Sequence, residues 1–504
     1  MYLGLDCSTQ SLSAIIIDAE NGEIIHETSV NFEQDLSQYK TTHGFVRGTE
    51  PDEFFSDPLM WVDALDLLFR RMQEQNAPLH RVKVISGSGQ QHATVYLKDC
   101  FHSSLATLTP NLSLREQLIG CFSRPVSPIW LDGSTRRECN EIIEAIGGNE
   151  VSISTTGSAV TPRFSAAQIR KYSRQYSERW DETTTIHLAS SFLASILCGK
   201  SVAIDYGDGA GMNLMNLETL SWDPTMANAT HEGTLDRLPP LAATTTIVGK
   251  ISSYFSSKYG FSPNTQCCLW SGDNPCSLVG MGVVRPGTWI ISLGTSFTLF
   301  SALKEPHTDP QGYGHVFGNP IGGYMALSCF KNGALACVAL KEHLGISWEE
   351  FDQALHKLPS EDETPALPFY ETEITPPARA VDQSSTTPRT LVDGQFLNMK
   401  HHSEWLGELP ETILVTGGVS RSNSVCQTIA NIFQRPVQRI STSSSASLGA
   451  ALIAAHTDGH DIDFLTELFC DPSSKFCEPN PTVCETYEKL TQKFLASLSD
   501  HLKE

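Results

Sequence analysis

The sequence predicts an α/β protein built from two related halves. Three observations predict it. A strand, a helix and a strand follow one another near the start; a strand–turn–strand pattern occurs near residue 2 and again near residue 289; and the composition shifts between residues 235 and 250. A length of 504 residues agrees with two or three domains and is ample for sizeable cores.

Residues 2–6 read as a first strand, 7–11 as a polar turn and 12–18 as a second strand, which together make a β-hairpin. Between residues 60 and 74, Met60, Trp61, Ala64, Leu65, Leu67 and Leu68 recur at helical spacing. Asp66 and Arg70, four residues apart, are expected to pair on its polar face. Residues 82–88 read as a buried strand running into a loop at 89–92, so the order suggests parallel pairing. Leu238-Pro239-Pro240 closes one block and an apolar run at 247–251 opens the next. The second hairpin is 289–293, Gly294-Thr295-Ser296, then 297–300. The stretch 359–395 is rich in Pro, Thr, Asp and Glu and reads as a loop or insertion. Residues 446–455, small and apolar, read as a packed helix.

Composition narrows the function classes. Hydrophobic residues at 40% and charged residues at 18% exclude a disordered chain and a coiled coil. A net charge of −22 disfavours nucleic acid and anionic lipid as partners. The opening MYLGLDCSTQS has no basic segment followed by an apolar one, and no apolar run approaches the ~18–20 residues of a membrane span. A soluble cytoplasmic protein is expected. Fourteen cysteines are too sparse for a disulfide framework and include no CxxC pair. They read as small buried hydrophobes or surface thiols in a reducing compartment, and no zinc site is expected.

Four motifs carry chemistry. Each hairpin turn can present amides to phosphate oxygens. Ser8, Thr9 and Gln10 add polar side chains in the first, and Gly294, Thr295 and Ser296 allow close approach and add hydroxyls in the second. Asp6, at the end of the first strand, offers a hard oxygen to a phosphate-bound Mg²⁺. Thr416-Gly417-Gly418 ends a strand at 412–415 with two glycines, which admits a flat ring or a ribose; the full G-x-G-x-x-G spacing, a Walker A motif and protein-kinase signatures are missing. In Ser271-Gly272-Asp273-Asn274-Pro275, a carboxylate and an amide precede a helix that Pro275 is expected to begin, so either could serve a substrate or cap the helix. Gln90-Gln91-His92 and Arg163 supply amide, imidazole and guanidinium groups suited to a hydroxyl-rich ligand.

The ordered set Asp6-Cys7-Ser8-Thr9-Gln10, Gly89-Gln90-Gln91-His92, Arg163-Phe164, residues 205–211, Gly272-Asp273-Asn274, Leu293-Gly294-Thr295-Ser296 and Thr416-Gly417-Gly418 resembles the FGGY carbohydrate kinases. Within that family it is most similar to the xylulokinase branch, whose GQ-x-HG loop matches residues 89–93 except that Ala93 stands at the glycine. Ala166 shows the same loss of a glycine, and both changes would reshape a sugar pocket. The resemblance runs from residue 2 to about residue 455.

It implies two ribonuclease-H-like domains with a central cleft, an actin-like sugar-kinase architecture. Residues 1–245 would be the sugar-binding side and 246–504 the nucleotide-binding side. It implies ATP-dependent phosphorylation of a ketopentose, D-xylulose foremost, with Mg²⁺. Gln91, His92, Arg163, Asp273 and Asn274 would hold the sugar and Asp273 would act as base. Ser8, Thr9, Gln10, Gly294, Thr295 and Ser296 would bind the phosphates. Gly417, Gly418 and Arg421 would lie near the adenosine, with Trp348 beside the base. Asp208 is given no role. A monomer or homodimer is expected. The alternatives are a kinase for another pentulose or a polyol, a silent sugar or nucleotide sensor on the same fold, and an actin-like chaperone ATPase. The last would lack the cluster of His92, Arg163 and Asn274.

Overall fold

The computed structural model describes residues 1–407, 409–440, 444–470 and 476–503. The chain forms two compact units. The first comprises residues 1–284, 316–324 and 443–470; the second comprises 285–315, 325–442 and 471–504. The division thus falls after Val284, beyond the expected boundary at 245, and a late segment returns to the first unit.

In the first unit, Tyr2–Cys7 pairs antiparallel with Ser11–Asp18, which pairs antiparallel with Glu23–Asn31. The expected parallel pairing is present: Tyr2–Cys7 runs beside Val84–Gly89, from Tyr2 opposite Val84 to Cys7 opposite Gly89. Gln266–Cys268 and Ser271–Gly272 continue parallel to Val84–Gly89. Cys7 is paired with Gly89, and Gly89 with Gly272, so three adjacent parallel strands end together. In open α/β sheets that edge is where ligands bind.

The helix Pro58–Glu74 begins at an N-cap, Asp57, whose carboxylate accepts the Leu59 amide, with Pro58 in the first turn. It buries Met60, Trp61, Ala64, Leu65 and Leu68 against the sheet. The expected Asp66–Arg70 pair does not form. Asp66 turns inward to accept the Tyr254 and Tyr259 hydroxyls at 2.8 and 2.6 Å, and Lys258 lies 3.6 Å away. Two phenols and an ammonium in a partly buried setting outcompete one solvated arginine.

The small apolar run is the helix Ser445–Thr457, and its composition has a packing reason. It crosses the helix Asp273–Gly280 at two glycines. A Cβ on Gly449 would lie 1.9 Å from the Cys276 carbonyl oxygen, and one on Gly280 would lie 1.9 Å from that of Ser445. This close crossing fixes the helix that carries Asp273.

The second unit repeats the plan. Thr288–Leu293 and Phe297–Leu303 form the hairpin, and Thr288–Leu293 runs parallel to Thr412–Thr416, which runs parallel to Val437–Arg439. A further strand, Tyr324–Phe330, flanks the hairpin. Each unit therefore has a hairpin whose first strand is followed across the sheet by two parallel strands, with a further strand beside the hairpin's second, in keeping with the ribonuclease-H-like domains expected. Trp289, Ile291, Leu293, Phe297 and Phe396 lie in its core. The stretch 359–395 is loop only in its first part, and even there Glu373–Ile374 pairs antiparallel with Pro377–Ala378. From Pro388 the chain is the helix Pro388–His401, capped by the Thr387 hydroxyl accepting the Thr390 amide. Among the described residues, no helix is long and apolar enough to cross a membrane.

Candidate active site

The three strand ends of the first unit deliver the predicted polar residues to one place. Asp6, at the end of Tyr2–Cys7, accepts the Ser88 hydroxyl at 2.7 Å. Val84–Gly89 runs into Gln90, Gln91 and His92, all buried. After Ser271–Gly272 the helix Asp273–Gly280 begins, with Gly272 as N-cap and no side-chain cap. Asp273 is thus the first helical residue and Pro275 the third, so neither Asp273 nor Asn274 caps this helix, and the helix does not start at Pro275.

Asp273 is held asymmetrically. Its Oδ1 accepts the Asn274 amide at 2.9 Å, Asn274 Nδ2 at 3.2 Å and the Gln91 amide at 3.4 Å. No protein donor reaches Oδ2 among the described residues. Asn274 Nδ2 also donates to Gln91 Oε1 at 2.9 Å, which fixes the Gln91 amide; Gln91 Nε2 and Gln90 Nε2 are then buried donors without a protein acceptor. Buried amides left in that state cost free energy unless a ligand or water completes them.

Asp6 and Asp273 repel one another. Burial, and then the Asp273 charge, push Asp6 up from 3.8 to about 7, against the Ser88 and Ser8 hydroxyls that pull it down. Burial raises Asp273 to about 6, against the amides of Gln91 and Asn274. Two hard carboxylates in electrostatic contact, neither in a salt bridge among the described residues, fit a divalent ion. Among the described residues no group of three or more His, Cys, Asp and Glu could hold a metal alone, so an ion here would draw its other ligands from water and substrate phosphates.

His92 has a left-handed backbone, φ +69°, which is strained for a residue with a side chain. Its ring stacks on Phe164 with centroids 4.2 Å apart, and Nδ1 lies 2.8 Å from the Gly211 carbonyl, so Nδ1 carries the proton. Arg163 lies over the same Phe164 ring at 5.6 Å. One phenylalanine therefore orients both the imidazole and the guanidinium. Ala93 and Ala166 are fully buried in this neighbourhood. In the first turn the Ser8 amide is used internally, donating to the Ser11 carbonyl at 3.0 Å. Thr9 donates its hydroxyl to Gln90 Oε1 at 3.4 Å and accepts Trp130 Nε1 at 2.9 Å. Gln10 is exposed.

The second unit has its own cavity at the equivalent strand ends, of about 1060 Å³. Gly294, Thr295, Trp348, Gly418 and Arg421 line it; Ser296 and Gly417 stand beside these in the chain without lining it. Gly417 has φ +90°, and a Cβ there would lie 2.6 Å from the Leu293 carbonyl oxygen, so only glycine lets the two strand ends meet. Trp348 is half exposed, edge-on to Phe351. An aromatic ring and glycine backbone lining one cavity suit a planar base.

The model of the FGGY family of carbohydrate kinases, N-terminal domain, matches residues 124–280, and that of the C-terminal domain matches residues 289–457. The chain belongs to the FGGY family of carbohydrate kinases. It is 37% identical over 487 residues to xylulose kinase 2 of Arabidopsis thaliana, covering 90% of this chain and 87% of that one. It is 38% identical over 474 residues to the xylulose kinase of Rattus norvegicus, covering 90% and 88%. The crystal structure of xylulose kinase from Rhodospirillum rubrum superposes with a TM-score of 0.84 at 21% identity, covering 99% of this chain and 98% of that one. The protein is therefore an ATP-dependent carbohydrate kinase.

The structure of this FGGY kinase adds residues to which sequence reading gave no part. Phe164 is the platform under His92 and Arg163. Asp208 is buried, accepts the Ser190 hydroxyl through one oxygen and leaves the other without a partner. Burial and the nearby Asp205 push it well above the usual carboxylate range. In the second unit, Asp352, Ser422 and Asn423 also line the cavity, with Ser422 donating its hydroxyl to Asp352. The only signal for these was local: Ser422 is the N-cap of the helix Asn423–Phe433.

Proposed function

We propose that the protein transfers the γ-phosphoryl group of ATP to the terminal hydroxyl of D-xylulose, giving D-xylulose 5-phosphate. One observation carries the mechanism: Asp273 has one oxygen tied by three N–H donors and the other without a protein donor among the described residues. A carboxylate so held keeps its orientation while one oxygen stays available to a substrate proton. Its basicity, raised by burial to about 6, brings it closer to the working pH than an ordinary carboxylate and improves it as an acceptor.

The other residues bind and orient. The Nε2 groups of Gln91 and Gln90 are donors for sugar oxygens, and His92 and Arg163, fixed on Phe164, address further hydroxyls. Asn274 steadies Asp273 and Gln91 together. Asp6 would hold Mg²⁺, which when bound neutralises charge on the transferring phosphates. In the second unit Trp348 and Gly418 would flank the adenine, Gly417 would bring Gly418 into place, and Arg421 would lie near the adenosine. Gly294, Thr295 and Ser296 would receive phosphate oxygens, as would Ser8, Thr9 and Gln10 in the first unit. The preference for D-xylulose among sugars rests on the relatives that carry that name. Under this reading the enzyme works in the cytoplasm as a monomer or homodimer.

The test is ADP release by the pure protein against D-xylulose, D-ribulose, xylitol, glycerol and D-glucose. The highest kcat/KM is expected with D-xylulose. A higher value with glycerol or another pentulose would overturn the substrate assignment.

A further inference from the structure

Fourteen cysteines read singly along the chain are not single in space. Three couples of thiols act on one another's charge: Cys100 with Cys121, Cys198 with Cys267, and Cys426 with Cys477, the last flanked by a hydrogen bond from Gln427 Nε2 to the Glu478 carbonyl at 2.6 Å that ties their two elements together. The third differs from the others. Cys426 lies on the helix Asn423–Phe433 and Cys477 on the short strand Phe476–Cys477, where it pairs with Val437 at the sheet edge. Arg439, on the neighbouring strand Val437–Arg439, reaches Cys426: Nη2 lies 3.5 Å from its sulfur. Burial pushes the Cys121 thiol up, and the Cys198 thiol together with burial pushes Cys267 up. At Cys426 the Cys477 thiol and the Arg439 guanidinium favour the thiolate and bring it down to about 7.

The same arginine ties this thiol to the cavity. Arg439 Nη2 donates to Asn423 Oδ1 at 2.7 Å and Nε donates to the Ser420 carbonyl. Asn423 lines the cavity, and Ser420 lies in the turn Gly418–Arg421 whose first and last residues line it. The Cys426 sulfur is itself 3.3 Å from the Ser420 carbonyl. The position of the turn and the charge state of Cys426 are thus coupled through one guanidinium.

We propose that Cys426 and Cys477 form a reversible disulfide on exposure to hydroperoxide, and that this bond weakens nucleotide binding in the second unit. The coupling half rests on the cavity's reading as the nucleotide site. The Cys426 thiolate attacks one peroxide oxygen of hydrogen peroxide, the O–O bond breaks, and hydroxide leaves, which gives a sulfenic acid. The Cys477 sulfur then attacks the Cys426 sulfur and displaces the hydroxyl, and the Cys477 proton joins it as water. Two electrons pass from the thiols to the peroxide. A dithiol such as dithiothreitol reverses the step by exchange. With the thiolate gone, Arg439 loses its anionic partner, and its hold on Asn423 and Ser420 shifts.

The test treats the pure enzyme with a few equivalents of hydrogen peroxide. Digestion and mass spectrometry are expected to show a linked pair of peptides, with fragment ions placing the bond between Cys426 and Cys477 rather than at Cys484. ADP affinity by calorimetry is expected to fall severalfold, with sugar affinity unchanged. Dithiothreitol should restore it, and Cys477→Ser should abolish the effect; Cys426→Ala serves as a second variant should that one fold poorly. Absence of the linked peptides overturns the thiol pair. Linked peptides with unchanged ADP affinity overturn the coupling. Trp348→Ala separates the two readings: if it too leaves ADP affinity unchanged, the cavity's assignment has failed, while the peptide map still judges the disulfide.

Discussion

Asp6→Asn is expected to stabilise the folded protein at pH 8 while removing activity. Asp6 is partly buried, and its ordinary value of 3.8 is raised to about 7 by burial and by Asp273. A folded-state value above the unfolded one means that the fold prefers the protonated acid. Stability from this group is complete below about pH 4, declines as the pH rises, and is lost once the pH passes about 7. A shift of about three units at 1.36 kcal/mol each sets a ceiling of about 4 kcal/mol. Part of that belongs to the pair with Asp273, so about 1–3 kcal/mol is expected from Asp6 alone. The amide keeps an oxygen for the Ser88 hydroxyl and removes the charge. Denaturation of both proteins at pH 5 and pH 8 without divalent cation reads the effect. Asp6→Asn should be the more stable at pH 8, with a smaller advantage at pH 5. Mg²⁺ should raise the stability of the parent protein more than that of the variant. A variant no more stable than its parent at pH 8 would refute the reasoning that Asp6 is a strained, cation-seeking carboxylate.

Three further expectations follow from the geometry. His92→Ala and Arg163→Ala should each raise the sugar KM far more than the ATP KM, by the ~1–3 kcal/mol that a lost buried polar contact costs; equal effects on both substrates in steady-state kinetics would point to a merely structural role on Phe164. Trp348→Ala should weaken ADP binding severalfold without altering sugar affinity, as calorimetric titration of each ligand would report. Gly449→Ala, whose Cβ would meet the Cys276 carbonyl at 1.9 Å, should displace the helix that carries Asp273. A loss of about 1–3 kcal/mol of stability and a lower kcat are expected, checked by denaturation and turnover together.

Much of the fold was legible because its signals are local. The hairpin at Tyr2–Asp18 announced itself by two apolar runs around a polar turn, and the helix Pro58–Glu74 by apolar spacing. What escaped was decided by distant partners. Asp66 satisfied the helix-pair pattern with Arg70, yet two tyrosines nearly two hundred positions away in the chain claim it. The division after Val284 and the return of Ser445–Thr457 to the first unit leave no mark in local composition. The helix Pro388–His401 hid inside a polar stretch, although Thr387-Pro388 is a regular helix start.

The candidate site was legible as residue types and not as arrangement. Gln91, Asn274 and Asp273 were each named from the sequence, but the hydrogen bonds that tie them together depend on three parallel strands ending level. The helix-cap alternative for Asp273 could be dismissed only once Gly272 was seen to occupy the cap. Phe164 sat beside Arg163 in the chain, and nothing in the sequence said that it also carries His92.

The most direct test of the central claim is the steady-state turnover of Asp273→Asn with D-xylulose and MgATP, alongside binding of both ligands. Asparagine keeps an oxygen for the Asn274 and Gln91 amides but cannot accept the substrate proton. The account predicts a folded variant that binds sugar and nucleotide nearly as its parent does, with kcat lower by about 10²–10⁴-fold. It also predicts that the parent's kcat declines as the pH falls through about 6, where Asp273 takes up a proton. A folded Asp273→Asn enzyme with near-parental kcat would contradict it.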